Sequence, residues 1–457
     1  MSGVSLLSDL LGSIARRSWL GDRAPKRPVE VAELRALCLK LVRSRGEATG
    51  VMVAAEILRG VRSLDDAALR AFFEMLATEF APDPERLGEA ARAYADTPDA
   101  TTLSRLQHEA EPPRQELFRR LNLAPGGTAE LVKLRERLLP LLRTDAAVFR
   151  PVDQDLKHLF GSWFNRGFLV LRHIDWDTSA RVLERIIDYE AVHAIDDWSA
   201  LRERLAPPDR RCFAFFHPSI PDDPLIFVEV ALTREIPAKI GTVLASDRVQ
   251  IEPEDAQTAV FYSISNCHKG LAGVSFGSFL IKQVAEDLKE SIPNLKTFVT
   301  LSPVPTFARW VADLPEADRK RLQPDERKAI EIVAEPDWAS NPERAEDAGP
   351  GLLSLAARYF LRAKRDDGQP VDPVARFHLG NGAQLNRIMH LGDVSSVGLR
   401  QAHGLMVNYL YDLPKVEERH EAYADGHAIA ASRAVQNLLP ASASRAANNT
   451  QSAEPAA

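Results

Sequence analysis

The stretch that decides the fold runs from Thr258 to Trp310 and reads TAVFYSISNCHKGLAGVSFGSFLIKQVAEDLKESIPNLKTFVTLSPVPTFARW. Its first part, Ala259 to Ile264, is rich in β-branched and aromatic residues, which predicts a strand. A turn with three glycines follows over residues 270–277. Apolar residues then recur at helical spacing over 280–292, and Leu295 to Leu301 predicts a second strand. The stretch therefore predicts a strand, a glycine loop, a helix and a strand.

This order of elements has a geometric consequence. If the two strands are neighbours in one sheet, the crossover helix makes them parallel, and their carboxyl ends lie at the same edge. The glycine loop and Ser302 both leave the sheet at that edge, where open α/β sheets usually bind ligands. Backbone N–H groups beside a helix N-terminus suit a pyrophosphate. A second interpretation stays open, because neither the Rossmann nor the Walker pattern is present and the glycines could serve only close packing.

Composition indicates an ordinary globular protein with more than one domain. The chain has 457 residues, of which 45% are apolar and 26% charged, and its net charge is −7. This balance does not favour binding to nucleic acid or an anionic membrane, so an anionic ligand would need local basic groups. Three separated cysteines without a CxxC pair fit a reducing compartment. No apolar run approaches about 20 residues and no signal peptide is recognisable, so we expect a cytoplasmic protein.

Two domains and a tail are predicted, in an α+β fold. Residues 1–160 show only helical periodicity, with Ser63 and Asp66 at capping-box spacing, which predicts an all-α helical bundle. Residues 161–440 add strands that predict a mixed sheet, and a helical stretch after Asp313 interrupted by a loop at 348–351. Strands are expected at Phe168–Leu171 and on either side of a polar linker at 217–224. Residues 441–457, rich in Ala, Ser and Asn, predict a disordered tail.

Four further motifs join the stretch 258–310 in a resemblance to a known family. They are WFNRGFL at 163–169, YEAVH at 189–193, FHLGNGA at 377–383 and GLMVNY at 404–409. In this order they resemble malonyl-CoA decarboxylases. The resemblance implies a helical N-terminal domain and an acetyltransferase-like (GNAT) catalytic domain that binds coenzyme A thioesters. It also implies malonyl-CoA as the substrate, a homo-oligomer (a tetramer in the family) in which the helical domain at 1–160 would serve oligomerisation, and a place in fatty acid metabolism.

The resemblance places two residues on the family's catalytic pair, Ser302 and His378. From the residues alone, His378 between Phe377 and Leu379 would more often be a core histidine, and Ser302 before Pro303 would more often cap a turn. The resemblance favours the catalytic role for both.

A substrate-binding set is also expected, with the coenzyme A pyrophosphate on the glycine-loop amides. In animal members of the family a glutamate occupies the position of Ser275, so a carboxylate–histidine–serine relay is not carried over to this chain. Arg387 is a weaker candidate for the site. The expected substrate-binding residues are Lys269, Gly270, Gly273, Val274, Ser275, Gly277, Asn381 and Tyr409.

Decarboxylation of a malonyl thioester needs no cofactor in principle. Loss of CO2 leaves a thioester enolate, so the substrate carbonyl accepts the electrons and the protein holds the carboxylate and supplies a proton. No biotin-, thiamine- or pyridoxal-binding signature is recognisable. The pairs Cys267–His268 and His420–His427 lack the usual spacing of metal ligands, so we expect neither a cofactor nor a metal.

Three other functions fit parts of the sequence. An acyltransferase of the same fold would need an amine acceptor. A thioesterase would use Ser275 in the GxSxG pattern at 273–277, although about ten residues separate Ser275 from the preceding strand, whereas a nucleophile elbow turns sharply off its strand. A coenzyme A-binding regulator would bind without turnover. The products formed from malonyl-CoA distinguish all three from a decarboxylase.

Overall fold

The structure is a computed structural model that describes residues 29–44, 46–274 and 280–440. Its chain contacts form two compact units. The described part of the first unit comprises residues 29–170 without 45, together with 216–223 and 268–274. The second comprises 171–215, 224–267 and 280–440. The predicted tail at 441–457 lies outside the described residues.

The first unit is helical, as predicted. Its helices bury leucine and phenylalanine side chains at helical spacing, among them Leu34, Phe72 and Phe149. Within the described residues its helices are α1 Val31–Arg43, α2 Glu47–Arg62, α3 Asp66–Glu79, α4 Pro84–Asp96, α5 Ala100–Ala110, α6 Pro113–Asn122, α7 Gly127–Thr144 and α8 Ala146–Trp163.

The capping box predicted at Ser63 is wrong. Asp65 caps α3, because its carboxylate accepts from the N–H of Ala68 at 2.8 Å. Ser63 instead ends α2, where its hydroxyl donates to the carbonyl of Gly60 at 2.8 Å. Leu64 between them is buried and separates the two helix ends. Because the Ser63 hydroxyl already contacts the preceding helix, the carboxylate two residues later caps the next one, which shifts the start of that helix.

One mixed sheet forms the centre of the second unit. Its strand order is β1-β2-β3-β4-β5-β8-β6, and β7 pairs with β8. The two strands predicted on either side of the polar linker are β2 and β3, and they pair antiparallel. The strands are β1 Val170–Ile174, β2 Arg210–Phe216, β3 Ile226–Thr233, β4 Thr258–Asn266, β5 Thr297–Thr300, β6 Ser302–Pro303, β7 Gln384–Met389 and β8 Met406–Leu410.

The strand–helix–strand prediction at the centre of the chain is confirmed. Strands β4 and β5 are parallel, with Thr258 opposite Thr297 and Phe261 opposite Thr300. The crossover between them contains the helix Leu280–Ser291. The remaining helices of the second unit are α9 Ala180–Tyr189, α10 Trp198–Leu205, a one-turn helix Ile240–Leu244, α11 Leu280–Ser291, α12 Phe307–Ala312, α13 Glu316–Arg319, α14 Pro324–Val333, α15 Pro342–Leu361, α16 Pro373–Gly380, α17 Ser396–Ala402, α18 Val416–Gly426 and α19 Arg433–Gln436.

The loop predicted at residues 348–351 is wrong, because α15 runs through it without interruption. The two glycines there serve packing between elements. A Cβ on Gly351 would lie 2.1 Å from the carbonyl oxygen of Asp325, and one on Gly349 would lie 3.3 Å from the ring of His390. Pro350 removes one N–H donor from the helix. The burial of helix residues before and after Pro350 therefore outweighs the preference of Gly349, Pro350 and Gly351 for a loop.

The strand predicted at Phe168–Leu171 begins later than expected. Residues Arg166–Phe168 form a 3-10 turn, because the side chain of Asn165 accepts from the N–H of Gly167 at 2.9 Å. The strand β1 then starts at Val170. Among the residues that the structure describes, no helix is long and apolar enough to cross a membrane.

Candidate active site

Ser302 and His378 lie together inside the second unit. The Ser302 hydroxyl oxygen is 3.3 Å from Nε2 of His378. The two residues are 5% and 3% exposed, so water has little access to the pair. They are 76 residues apart in sequence, and the fold brings them together by placing β6 and α16 on the same part of the sheet. This contact is the central feature of the site.

Helix α16 positions His378 in its last turn. Its N-terminus is capped by Asp372, whose carboxylate accepts from the N–H of Ala375 at 2.7 Å, and Pro373 occupies the first helical position. The hydroxyl of Tyr359 donates to the other oxygen of Asp372 at 3.1 Å. At the C-terminus, the Asn381 side chain donates to the carbonyl of Phe377 at 2.7 Å. Asn381, predicted to bind substrate, thus makes a helix-end contact.

Two tyrosines from one face of β8 and its extension hold the His378 ring. The ring stacks on Tyr409, with centroids 4.5 Å apart and an interplanar angle of 22°. Its Nδ1 lies 2.8 Å from the hydroxyl of Tyr411. Since side chains two apart in a strand point the same way, the sequence Tyr-Leu-Tyr delivers both rings to the histidine. The rings fix the imidazole in position and orientation.

Burial decides the protonation of this group. It lowers the pKa of His378 to about 3, so the ring is neutral at neutral pH. Burial also raises the pKa of Tyr411 well above its usual value, so the phenol keeps its proton. A neutral imidazole has one donor and one acceptor nitrogen. If the Tyr411 hydroxyl donates to Nδ1, then Nε2 carries the hydrogen that faces Ser302.

Thr300 supports the serine from the end of β5. The Ser302 hydroxyl donates to the Thr300 hydroxyl oxygen at 2.8 Å. That same oxygen accepts from the N–H of Tyr409 at 3.1 Å. The Asn408 side chain donates to the carbonyl of Thr300 at 2.6 Å. Ser302 pairs with Val407 of β8, so the strand bridge and this hydroxyl contact hold it, rather than a turn cap before Pro303.

Two polar side-chain atoms of β8 have no hydrogen-bond partner among the described residues. They are the hydroxyl of Tyr409 and the side-chain oxygen of Asn408, both fully buried. Buried polar atoms normally find partners, so such atoms are places where a ligand can bind. Thr300, Asn408 and Tyr411 were not found by sequence reasoning. The alternation of Tyr409 and Tyr411 around Leu410 was the signal that could have identified the last.

The described part of the glycine loop belongs to the first unit. Lys269–Leu271 forms a 3-10 turn, and Gly273 has a φ of +71°, which favours glycine. A Cβ on Gly270 would lie 2.0 Å from the carbonyl oxygen of Val132 in α7, so close packing requires this glycine. Lys269 is exposed and Val274 is buried. Ser275 and Gly277 lie outside the described residues.

The remaining candidates do not join the pair. Arg387 is exposed on β7. His268 lies 3.7 Å from a carboxylate oxygen of Asp223. The described residues contain no group of three or more His, Cys, Asp or Glu side chains that could hold a metal ion. Ser302, His378, Thr300, Tyr409 and Tyr411 therefore define the candidate site in the second unit.

Comparison with known proteins gives consistent matches. The family profile for the malonyl-CoA decarboxylase C-terminal domain matches residues 167–449, and that for the N-terminal domain matches 80–164. The mitochondrial malonyl-CoA decarboxylase of Anser anser anser is 33% identical over 420 residues, which cover 84% of this chain and 83% of the relative. That of Rattus norvegicus is 34% identical over 360 residues, 73% of each protein.

Solved structures agree with these matches. Malonyl-CoA decarboxylase from Rhodopseudomonas palustris is 52% identical, with a TM-score of 0.85 over 90% of this chain and 100% of that chain. The enzyme from Cupriavidus metallidurans is 33% identical, with a TM-score of 0.71 over 90% of this chain and 99% of that chain.

Proposed function

Because the chain belongs to the malonyl-CoA decarboxylase family, we propose that Ser302 and His378 carry out the decarboxylation of malonyl-CoA to acetyl-CoA and CO2 without a cofactor. The observation that supports this assignment is the buried contact of 3.3 Å between the Ser302 hydroxyl and Nε2 of His378. Family membership supports decarboxylation as the activity. The division of the chemistry between these two residues is our proposal.

The reaction is a heterolytic cleavage followed by one protonation. The bond between the malonyl α-carbon and the carboxylate carbon breaks, and its electron pair moves through the α-carbon onto the thioester carbonyl oxygen. CO2 leaves, and a thioester enolate remains. One proton then adds to the α-carbon and gives the acetyl thioester. The protein must orient the carboxylate, stabilise the enolate oxygen and supply the proton, which comes ultimately from solvent.

The neutral state of free His378 has a mechanistic consequence. A bound malonyl carboxylate brings negative charge to a water-poor pocket, which raises the pKa of a nearby histidine. His378 would therefore gain its proton together with the substrate. As CO2 leaves, the charge that stabilises this proton is lost from the carboxylate and appears on the enolate. His378 and the Ser302 hydroxyl then relay the proton to the α-carbon, while Tyr411 and Thr300 hold the relay in place.

The glycine loop is assigned to the pyrophosphate of coenzyme A. Its described amides at Gly270 and Gly273, with exposed Lys269 beside them, offer N–H donors and a positive charge to an anion. Substrate contacts by Val274, Ser275, Gly277, Asn381 and Tyr409 remain part of this proposal. The acetyltransferase-like description of the second unit, the homo-oligomer and the role in fatty acid metabolism are likewise proposed from the family resemblance. The cytoplasmic location is proposed from the sequence alone, and the curated relatives named above are mitochondrial.

The test uses the purified full-length protein, dialysed against EDTA and incubated with malonyl-CoA in heavy water. We expect equal amounts of acetyl-CoA and CO2, with one deuterium in the new methyl group by mass spectrometry. Ser302→Ala and His378→Asn should each lower kcat by at least about 100-fold, the range of one proton-transfer catalyst. Ser104→Ala and His108→Asn, both exposed on α5, are matched controls.

Each other outcome has a distinct meaning. Near wild-type turnover in both site variants would reject the Ser302–His378 assignment. Free coenzyme A and malonate would indicate a thioesterase. Loss of activity after EDTA treatment, restored by a metal, would reject cofactor independence. The mass of the native protein in solution, compared with the mass of one chain, tests whether the protein is a homo-oligomer.

A further inference from the structure

An arginine of the helical region holds the glycine loop. Arg135, on α7, is 2% exposed. Its Nη1 donates to the carbonyl oxygens of Gly270 at 2.7 Å and Ala272 at 2.9 Å. Its Nε donates to a carboxylate oxygen of Asp153, on α8, at 2.7 Å. One buried guanidinium, oriented by a carboxylate, therefore fixes two peptide groups of the loop. All of these residues belong to the first unit.

This contact also sets the direction of an amide donor. In a trans peptide the C=O and the following N–H point in opposite directions. Since the carbonyl of Ala272 points to Arg135, the N–H of Gly273 points away from it. That N–H donates to no group in the part of the chain that the structure describes. Arg135 thereby pre-orients a donor at exposed Gly273 that has no acceptor among the described residues.

A lysine from the neighbouring helix reaches the same glycine. The Nζ of Lys157, on α8, lies 3.4 Å from the position that a Cβ on Gly273 would occupy, and its Cε lies 3.6 Å away. Lys157 is exposed and forms no ion pair with any described residue. A cation and an N–H group, both without a partner in the described part of the chain, thus meet at Gly273. This combination recognises an anion such as a phosphate oxygen.

We propose that Arg135 and Lys157 complete a phosphate site at the glycine loop, with Lys157 contacting the pyrophosphate of coenzyme A and Arg135 acting as a positioning residue. The inference rests on the proposed binding of the pyrophosphate by this loop. It extends that proposal to the helical region. For this region the family resemblance implied only a role in oligomerisation. Because the chain carries a net charge of −7, a polyanionic substrate needs such local cations.

The lysine is tested by comparing two substrates. Malonyl-pantetheine carries the reacting group but lacks the pyrophosphate. Lys157→Met should raise the KM for malonyl-CoA roughly tenfold, as expected for a charge-assisted hydrogen bond. It should leave the KM for malonyl-pantetheine and both kcat values within about twofold, and it should flatten the salt dependence of the KM for malonyl-CoA. Lys133→Met is the control, since Lys133 is exposed in the same unit and pairs with Glu130 at 3.5 Å.

The arginine is tested by two variants and one control. Arg135→Gln should raise the KM for malonyl-CoA at least as much as Lys157→Met, again without an effect on malonyl-pantetheine. Arg135→Lys, which keeps the charge and part of the donor set, should fall between wild type and Arg135→Gln. If Arg135→Gln does not fold, the KM values of Lys157→Met for the two substrates alone decide whether the phosphate site exists. Arg137→Gln is the control, because Arg137 on the same helix donates to the carbonyls of Val61 at 3.1 Å and Leu64 at 2.7 Å.

The outcomes separate the two proposals. If the wild-type protein has the same KM for both substrates, the pyrophosphate assignment itself is wrong. If the wild type favours malonyl-CoA and the Lys157 and Arg135 variants keep that preference, only the present inference is overturned. Equal losses with both substrates would mean that the two residues stabilise the fold and do not serve the phosphate.

Discussion

The hydroxyl oxygen of Tyr411 lies 2.8 Å from Nδ1 of His378. Nδ1 is the imidazole nitrogen that does not face Ser302. If the tyrosine hydroxyl donates, this contact selects the tautomer in which Nε2 carries the hydrogen toward the serine. The histidine therefore depends on a group that never needs to touch the substrate. Its consequences, and those of the neighbouring contacts, can be measured.

Tyr411→Phe should lower kcat for malonyl-CoA roughly tenfold with little change in KM, because the imidazole loses the partner that fixes its tautomer and orientation. Steady-state kinetics measure the effect. Tyr423→Phe is the matched control, since the Tyr423 hydroxyl is buried without a partner among the described residues. An unchanged kcat in Tyr411→Phe would show that the ring stacked on Tyr409 needs no second anchor.

Thr300→Val should impair both activity and stability. It removes the oxygen that accepts from Ser302 and from the N–H of Tyr409, and a buried donor left without a partner costs about 1–3 kcal/mol. We expect a loss of that size in the free energy of unfolding in urea, together with a lower kcat. Thr300→Ser keeps the hydroxyl and should restore most of both. Wild-type stability and kcat in Thr300→Val would contradict this role of the hydroxyl.

The stability of the protein should depend on His378 below neutral pH. Burial lowers the pKa of His378 in the folded state to about 3, against 6.5 for an ordinary histidine. The unfolded chain therefore binds a proton between pH 6.5 and pH 3 that the folded chain does not. The stabilisation is complete above pH 6.5 and falls with pH, by about 2 kcal/mol between pH 7 and pH 5.

Comparison of the wild type with His378→Asn, which lacks the titrating group, isolates the contribution of His378 to the pH dependence of stability. Urea unfolding at pH 7 and pH 5 should show a smaller loss in the variant than in the wild type. The wild type alone is not decisive, because burial raises the pKa of Asp372 to about 6, and this group shifts stability in the opposite direction. Identical losses in the two proteins would contradict a neutral, buried His378.

Removing the cap of α16 should displace the histidine at its other end. Asp372→Ala should cost about 1 kcal/mol or more of stability, because the N–H of Ala375 and the hydroxyl of Tyr359 lose their acceptor. It should also lower kcat. Asp372→Asn keeps an acceptor and should retain more of both. Asp197→Ala, which removes the cap of α10, controls for the general cost of an N-cap and should leave kcat unchanged.

Gly270→Ala should destabilise the protein by roughly 1–3 kcal/mol, the usual range for overpacking, because the added Cβ would lie 2.0 Å from the carbonyl oxygen of Val132. Thermal unfolding measures the change. Gly161→Ala in α8 is the control, since nothing lies within 4 Å of its added Cβ, and it should be neutral or stabilising. A wild-type melting temperature for Gly270→Ala would mean that the loop moves away from α7 at little cost.

Periodicity predicted the elements of the fold well where one signal dominated. The β-branched and aromatic residues of β4 and the helical stripe after Leu280 identified a parallel unit that the structure confirms. The prediction failed where packing between distant elements outweighed local preference. Gly349 and Gly351 predicted a break, but their missing side chains let neighbouring elements approach α15. Sequence spacing alone carries no information on such neighbours.

The candidate site was predictable only in part. Ser302 and His378 were identified by family resemblance, and nothing in their separation of 76 residues predicts the contact of 3.3 Å that joins them. Thr300 and Tyr411 were missed because threonine and tyrosine are common in strands. Their role depends on the strand register, which places Thr300 beside Ser302 and Tyr411 beside His378. Arg135 was missed for the same reason, since its two acceptors lie more than 130 residues away.

The distance in sequence between Arg135 and its acceptors bears on how the chain is made. During synthesis the helices that carry Arg135 and Lys157 leave the ribosome long before residues 268–274 exist. Until those residues have been translated, the guanidinium of Arg135 lacks the carbonyls of Gly270 and Ala272 as acceptors. The helical region therefore cannot complete its contacts before the chain has been made well into the second unit. We expect a fragment that stops at residue 170 to be less stable than the same residues in the whole protein. The order of translation thus delays completion of the first unit until part of the second already exists.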